Sequence, residues 1–177
     1  MTATAQGVFR RLVRETVGPV LRREGLQGSG QSYVLPDPVD WAQVGLQKSR
    51  SNTADNLSFT INLKITNKAW WDQQRRDHSY LKDTPPPGVD NCAWDVRRLQ
   101  ESFYPIKPTV NASGEGRWQR IGRLIPGIKR DYWWELTVDA AEDVIDDALQ
   151  AILVHGIPWL RSQLVRGPGD GADVRDR

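Results

Sequence analysis

The sequence predicts a single α+β domain, in which an antiparallel sheet of about four to six strands packs against an N-terminal helix and a long C-terminal helix. Three observations lead to this fold class: apolar and polar residues alternate over 57–66, apolar residues have helical spacing over 5–24, and the same spacing returns after Asp139. At 177 residues the chain can bury a core without disulfides or metal ions. The domain is expected to cover 1–166, and the glycine-rich, charged segment 167–177 is expected to be disordered.

The stretch from Leu57 to Thr66 is predicted to be the central strand. Successive side chains of a strand point to opposite faces, so one face receives the large apolar residues Leu57, Phe59, Ile61, Leu63 and Ile65. The other face receives Ser58, Thr60, Asn62, Lys64 and Thr66, and it is expected to be exposed to solvent. Burial of the apolar face contributes on the order of 10 kcal/mol, which the entropy of ordering the strand offsets. The strand therefore needs neighbouring strands and helices across its apolar face.

The residues before the central strand are predicted to form one helix and two strands. An amphipathic helix is expected over 5–24, with a kink at Gly18-Pro19 and a C-terminal stop at Gly25. Strands are expected from Ser32 to Leu35 and from Asp40 to Ser49. A polar loop then joins the second of these to the central strand as a hairpin.

The segment 67–91 is expected to be an irregular excursion from the sheet. Asn67 can cap a short helix, and Pro85-Pro86-Pro87-Gly88 favours an extended connection after it. A further strand is expected from Cys92 to Leu99.

The C-terminal part is predicted to return to the sheet and to end in the long helix. Strands are expected at Arg117 to Leu124 and at Tyr132 to Val138. Asp139 and Glu142 have the spacing of a capping box that opens the last helix. Gly156 and Pro158 are expected to interrupt that helix, leaving a short turn through Trp159 to Val165.

Composition and charge exclude several classes of protein. The 24 basic and 22 acidic residues give a net charge of +2, which is too small for a strong global field. The single cysteine, Cys92, excludes an internal disulfide and fits a reducing, cytoplasmic compartment. Arginines interrupt the N-terminal apolar stretch, which argues against a signal peptide, and the apolar run 148–160 is too short to span a bilayer.

Two strand segments carry a resemblance to a known family. The run Asp40-Trp-Ala-Gln-Val-Gly-Leu-Gln-Lys-Ser, followed by Phe59-Thr-Ile-Asn-Leu, resembles a bacterial family of domains of unknown function, number 4304. The strand from Cys92 to Leu99 and the run Asp131-Tyr-Trp-Trp are also similar to that family, and the resemblance covers roughly 8–165. The resemblance supports the α+β fold class, and it brings no catalytic residues to carry over.

No catalytic or metal-binding constellation emerges from the residues. His78 and His155 lie in different contexts without nearby cysteines or paired carboxylates, so neither a metal site nor a cofactor is predicted. Cys92 opens an apolar strand and is interpreted as a core residue. Lys48, at the end of a strand, is interpreted as ordinary surface, with anion binding as the alternative.

The sharpest local feature is a segment, 117–134, that combines tryptophans with basic residues. Its candidate binding residues are Arg117, Trp118, Arg120, Arg123, Lys129, Arg130 and Trp133. Aromatic rings can stack on bases while arginines neutralise phosphates, so this pattern indicates nucleic-acid or polyanion binding. The competing interpretation is that the tryptophans belong to the core and its rim, with arginine stems covering them.

The leading functional hypothesis is a non-enzymatic, cytoplasmic protein-interaction module, of an accessory or immunity-like kind. It depends on a well-patterned core without a catalytic set and on eight tryptophans, a residue that is enriched at interface hot spots. Binding of nucleic acid or another polyanion through 117–134 is the second hypothesis. The third is a metal-dependent hydrolase that uses carboxylates at strand ends, such as Asp95, Asp131 and Glu135.

Overall fold

A computed structural model describes residues 3–86 and 133–165, and within them it confirms the α+β fold class. One antiparallel sheet has the order β1-β2-β3-β4-β5. Its strands are β1 (Gln27–Ser29), β2 (Ser32–Leu35), β3 (Asp40–Lys48), β4 (Asn56–Asn67) and β5 (Trp134–Thr137). The expected strands from Cys92 to Leu99 and from Arg117 to Leu124, and the expected tail 167–177, lie outside the described residues.

The first helix, α1, consists of three consecutive helical segments. These are an α-helix over Ala5–Leu12, a π-helical turn over Val13–Val17 and an α-helix over Gly18–Arg23. Proline has no N–H and its ring clashes with the carbonyl four residues back, so an unbroken α-helix cannot pass through Pro19. In the π turn the N–H of Gly18 donates to the carbonyl of Val13, five residues back. Where a kink was predicted at Gly18-Pro19, the structure has a π turn immediately before these two residues, and the helix continues through them.

Helix α1 ends as predicted at Gly25. This glycine has a φ of 91°, and its N–H donates to the carbonyl of Arg22 at 3.1 Å. The N–H of Leu26 donates to the carbonyl of Leu21 at 3.0 Å, which completes a Schellman motif. The buried side chain of Leu26 then returns the chain to the core before β1 begins.

A short helix, α2 (Lys68–Asp77), follows β4, and the last helix of the described chain, α3, contains a π turn like that of α1. It runs as an α-helix over Ala141–Ala151, a π-helical turn over Ile152–Gly156 and an α-helix over Ile157–Val165. The prediction that Gly156 and Pro158 interrupt this helix was wrong, because the N–H of Ile157 donates five residues back to Ile152 and the helix continues. The predicted capping box was also wrong: Ala140 occupies the N-cap and no side chain caps the helix.

The two long helices pack on the same face of the sheet. Strand β4 supplies the predicted apolar side chains to this core, and the ring of Phe59 lies 5.1 Å from the ring of Phe9 in α1. Phe59 also stacks on Trp134 of β5, at 5.7 Å between ring centroids. The indole Nε1 of Trp134 donates to Asp147 Oδ2 of α3 at 2.8 Å, which ties β5 to this helix. In the described residues no helix combines the length and apolar character needed to cross a membrane.

The second face of β4 is not exposed, which corrects the expectation of a solvated face. Thr60, Asn62, Lys64 and Thr66 are all buried, between 2% and 3% exposed, and Gln43 of β3 beside them is 1% exposed. The alternation of residue types correctly separated the two faces of the strand. Polarity alone was taken to mean contact with water, but buried polar side chains are stable where other groups satisfy their hydrogen bonds.

Tyr33 of β2 carries a buried phenol that has no hydrogen-bond partner in the part of the chain that the structure describes. The residue is 0% exposed, and a Cβ placed on Gly18 of α1 would come within 3.0 Å of its hydroxyl oxygen. Burial raises the pKa of Tyr33, and the nearby Arg22 guanidinium opposes part of that rise. The folded protein therefore holds this proton more tightly than the unfolded chain does.

We expect Ile61→Ala to lower the free energy of unfolding by about 2–5 kcal/mol, because it removes buried apolar volume from the central strand and leaves a cavity. Urea denaturation followed by circular dichroism measures the change. Val154→Ala is the matched control, since Val154 is 59% exposed on α3 and should change stability by less than about 0.5 kcal/mol. Equal, small effects at both sites would contradict the central position of β4.

We expect Tyr33→Phe to leave stability at pH 7 unchanged or to raise it by up to about 1–2 kcal/mol, because it removes a buried hydroxyl without a partner. Above pH 10.0, the ordinary pKa of tyrosine, the unfolded wild-type chain loses this proton before the folded chain does. The free energy of unfolding of wild type should therefore fall relative to that of the variant as pH rises from 10.0 upward. Below that pH the difference between the two proteins should be constant. Denaturation series at several pH values measure the difference, and a difference that is constant up to pH 11, about one unit above the ordinary pKa, would contradict the raised pKa.

Candidate functional site

The face of β3 and β4 that lies away from the two long helices carries polar side chains on neighbouring positions. We call this surface the polar face: Trp41, Gln43, Gln47, Thr60, Asn62, Lys64 and Thr66. In the register of the two strands Trp41 pairs with Thr66, Gln43 with Lys64, and Gln47 with Thr60. Cross-strand partners have Cβ atoms about 4.5–5.5 Å apart, so these side chains form a continuous cluster.

Lys64 and Gln43 hold two consecutive backbone carbonyls of one segment. Lys64 Nζ donates to the carbonyl of Pro86 at 3.0 Å, and Gln43 Nε2 donates to the carbonyl of Pro85 at 3.0 Å. The two donors belong to one cross-strand pair, so they lie side by side on the sheet. A run of prolines offers carbonyl acceptors without N–H donors, and this suits a face that presents an ammonium group and an amide NH₂.

The segment 81–86, which we call the strap, reaches the polar face by way of helix α2 (Lys68–Asp77). Asn67, the last residue of β4, caps this helix as predicted: its Oδ1 accepts from the N–H of Trp70 at 3.0 Å. The buried Trp71 of α2 donates from Nε1 to the carbonyl of Lys82 at 3.1 Å. Arg75 also forms an ion pair with Asp83. The described part of the predicted excursion is therefore held in place at both ends.

Tyr80 lies at the turn between α2 and the strap and is 69% exposed. Its ring lies 5.7 Å from the ring of His78, and the N–H of Leu81 donates to the carbonyl of His78 at 3.0 Å. The turn therefore has a defined backbone geometry and presents a large aromatic side chain to solvent.

Three buried polar atoms on one corner of the polar face have no hydrogen-bond partner among the described residues. They are Trp41 Nε1, Gln43 Oε1 and Thr66 Oγ1. The first is a donor, the second an acceptor, and the hydroxyl can act as either. Lys68 Nζ lies 4.7 Å above the ring of Trp41 in a cation–π contact and also donates to the carbonyl of Asp37. Buried polar groups are nearly always paired, so these three atoms have hydrogen-bonding capacity that the described residues leave unused.

The residues predicted from sequence as binding candidates are not the ones that form this cluster. Lys48 is half-buried at the end of β3 and alternates with Gln47, so it lies on the side of the sheet that carries the long helices. Trp133 is half-buried immediately before β5. The remaining candidates lie outside the described residues: Arg117, Trp118, Arg120, Arg123, Lys129 and Arg130.

Sequence reasoning missed the polar face because it interpreted polar strand positions as solvated. One signal could have found it: Lys64 and Gln43 lie in the interiors of the two longest strands, where a covered face is more common than at strand ends. The three consecutive prolines offered a second signal, since they supply acceptors only. Within residues 3–86 and 133–165, no group of three or more His, Cys, Asp or Glu side chains is placed to hold a metal ion.

Comparison with known proteins gives one match. A family model described as Domain of unknown function (DUF4304) matches residues 17–162. That range contains β1 to β5, α2 and nearly all of α3. No curated protein and no solved structure matches the chain.

We expect Gln43→Met and Lys64→Met to lower the free energy of unfolding by about 1–3 kcal/mol each, because each removes a donor from a buried carbonyl of the strap. The double variant should lose less free energy of unfolding than the two single variants lose in sum, by about 0.5–3 kcal/mol, because both donors hold the same segment. Gln73→Met on the exposed surface of α2 is the control and should have little effect. Denaturation of the four proteins measures the coupling, and strict additivity would show that the two donors act independently.

Proposed function

Since the chain belongs to the DUF4304 family, whose description assigns no activity, we propose its function from the surface itself: a non-enzymatic, cytoplasmic protein-interaction module of bacteria, of an accessory or immunity-like kind. The described residues provide a rigid scaffold with both faces of the central strand covered. On such a scaffold, binding residues are expected at turns that the surrounding structure holds in place.

The observation that carries this proposal is the exposure of Tyr80. Large aromatic side chains are usually buried, and Trp71, Trp134, Tyr33 and Phe59 in this chain follow that rule. Tyr80, at 69% exposed, does not. Tyrosine is enriched among the few interface residues that contribute most of the binding energy, since its ring buries much area and has only two side-chain torsions to order.

The setting of Tyr80 supports the same proposal. The bond from Trp71 to Lys82 and the ion pair between Arg75 and Asp83 hold the turn before any partner arrives. Preorganisation of this kind lowers the entropic cost of association. The charged side chains of Asp77, Lys82 and Asp83 are exposed around the turn, so they can supply the polar rim that surrounds an interface centre.

The other two hypotheses stay predictions. Binding of nucleic acid or another polyanion depends on 117–134, of which only Trp133 and Trp134 are among the described residues. The metal-dependent hydrolase depends in part on Asp95 and Asp131, which lie outside them. Neither gains support from the polar face or from the exposed turn.

We expect the tagged wild-type chain to capture one stoichiometric protein from an extract of its native host, and Tyr80→Ala to weaken that complex. Loss of a hot-spot tyrosine costs at least about 2 kcal/mol, roughly a thirtyfold increase in Kd. Quantitative mass spectrometry identifies the partner, and titration of the purified pair measures Kd.

Val154→Ala is the matched control, because it also removes an exposed apolar side chain, at a site on α3. It should bind like wild type. Tyr80→Phe should retain most of the affinity, since it keeps the ring. Recovery of no stoichiometric partner, or equal affinities for wild type and Tyr80→Ala, would refute the proposal.

A further inference from the structure

Only one of the two polar atoms of the Gln43 side-chain amide is hydrogen-bonded to the strap. Its Nε2 donates to the carbonyl of Pro85, while its Oε1 is buried without a partner in the described part of the chain, in a residue that is 1% exposed. The orientation of the amide follows from chemistry, because a carbonyl oxygen can accept only from the NH₂ side.

The absence of an N–H in Pro85 explains why the strap leaves Gln43 Oε1 unpaired. In an extended chain the N–H and the C=O of one residue point to the same side, as they do in the hydrogen-bonded pairs of an antiparallel sheet. A side-chain amide that faces such a residue can therefore pair with both groups. Proline has the carbonyl and lacks the N–H, so at this position the strap can satisfy only one of the two.

The neighbouring cross-strand pair offers further unused hydrogen-bonding capacity. Trp41 Nε1 and Thr66 Oγ1 are buried without partners within residues 3–86 and 133–165, and they lie next to the pair formed by Gln43 and Lys64. The unpaired set thus contains a donor, an acceptor and a hydroxyl that can be either. A peptide backbone presents both kinds of group along one edge, and a proline run presents only acceptors.

We propose that the polar face binds an extended peptide segment of a partner protein, which replaces the strap and supplies the backbone N–H that Pro85 lacks. This inference rests on the proposed function, in which the partner is a protein, and it names the second surface that the partner uses. The segment has a residue other than proline opposite Gln43, and one of its carbonyls accepts from Lys64 as that of Pro86 does in the closed structure.

The attachment of the strap fits such an exchange. Its first residues are held on α2, through Lys82 and Asp83, and its described hydrogen bonds with the sheet run from Gln43 and Lys64 to the carbonyls of Pro85 and Pro86. The prolines can leave the face while α2 and the turn at Tyr80 keep their places. Until a partner binds, the strap supplies acceptors to donors that would otherwise be exposed.

Hydrogen exchange of Pro85→Ala tests how Gln43 pairs with backbone. The amide proton introduced at position 85 should bond to Gln43 Oε1 and exchange at least about 100-fold more slowly than in an unstructured peptide. Pro86→Ala is the matched control, because Lys64 has donors only and cannot accept from a new N–H. Equal exchange at positions 85 and 86, measured by nuclear magnetic resonance on the folded variants, would overturn the proposal.

Peptide binding tests the exchange itself. The full chain with Pro86→Arg is the strap-released protein, because the new N–H at position 86 would face Lys64, which has donors only, and the guanidinium adds a second positive charge near that ammonium group. The probe is a fluorescent peptide of residues 81–88 with Pro85→Ala, and the unaltered peptide is its control. The strap-released protein should bind the probe about tenfold more tightly than the control. Wild type should bind the probe more weakly than the strap-released protein does, because its own strap competes for the same face at high effective concentration.

Each outcome of the peptide experiment has a distinct meaning. Equal affinities for the two peptides, or no binding of either, would overturn the inference and leave the Tyr80 test of the proposed function untouched. A dimer of the strap-released protein in sedimentation would identify a second copy as the occupant and overturn the assignment to a partner protein. Where Pro86→Arg fails to fold, the exchange rates at positions 85 and 86 decide the matter.

Discussion

A buried lysine ammonium group needs hydrogen-bond acceptors around it, and several elements of the described structure position an acceptor for Lys64. The residue lies in the interior of the central strand at 3% exposure, and Pro86 supplies one of its acceptors. The chain must therefore double back over its own strand within 22 residues. Asn67 makes the reversal possible, because it ends β4 and caps α2, and Trp71 then directs the strap back across the sheet.

A different constraint applies on the opposite face of the sheet. Two long helices, α1 and α3, must stay in contact with its apolar surface although each of them contains a proline. The chain uses the same solution in α1 and α3. The residue before each proline donates to the carbonyl five positions back, so the helix widens for one turn and continues. Each helix thereby keeps buried apolar residues on both sides of its proline, as Leu12 and Leu21 in α1 illustrate.

Sequence patterns predicted those parts of the fold that local chemistry determines. The alternation around Ile61, the glycine at position 25 and the cap at Asn67 each act through their own backbone neighbourhood, and the structure confirms all three. The continuation of α3 beyond Pro158 was missed, because the proline was taken to break the helix and a π turn before it was not considered. The polar face was missed for a related reason. Whether Lys64 meets water or a proline carbonyl depends on a segment 22 residues away, and periodicity within β4 contains no information about it. The exposed turn at Tyr80 could not be predicted either, since exposure of an aromatic residue is a property of the folded surface.

The order of strands in the sheet has a consequence for how the chain reaches this structure. Strands β1 to β4 pair with their neighbours in the sequence, so each pairing closes only a short loop. The pairing of β4 with β5 instead joins Phe59 to Trp134 and must close a loop that contains everything between them. Loop-closure entropy delays contacts of large sequence separation, so the four-stranded meander is expected to form early and β5 to dock late. Until β5 docks, Phe59 lacks its stacking partner, and the apolar face of the nascent sheet is open to other chains. The slow step of folding is therefore also the interval in which aggregation competes with it.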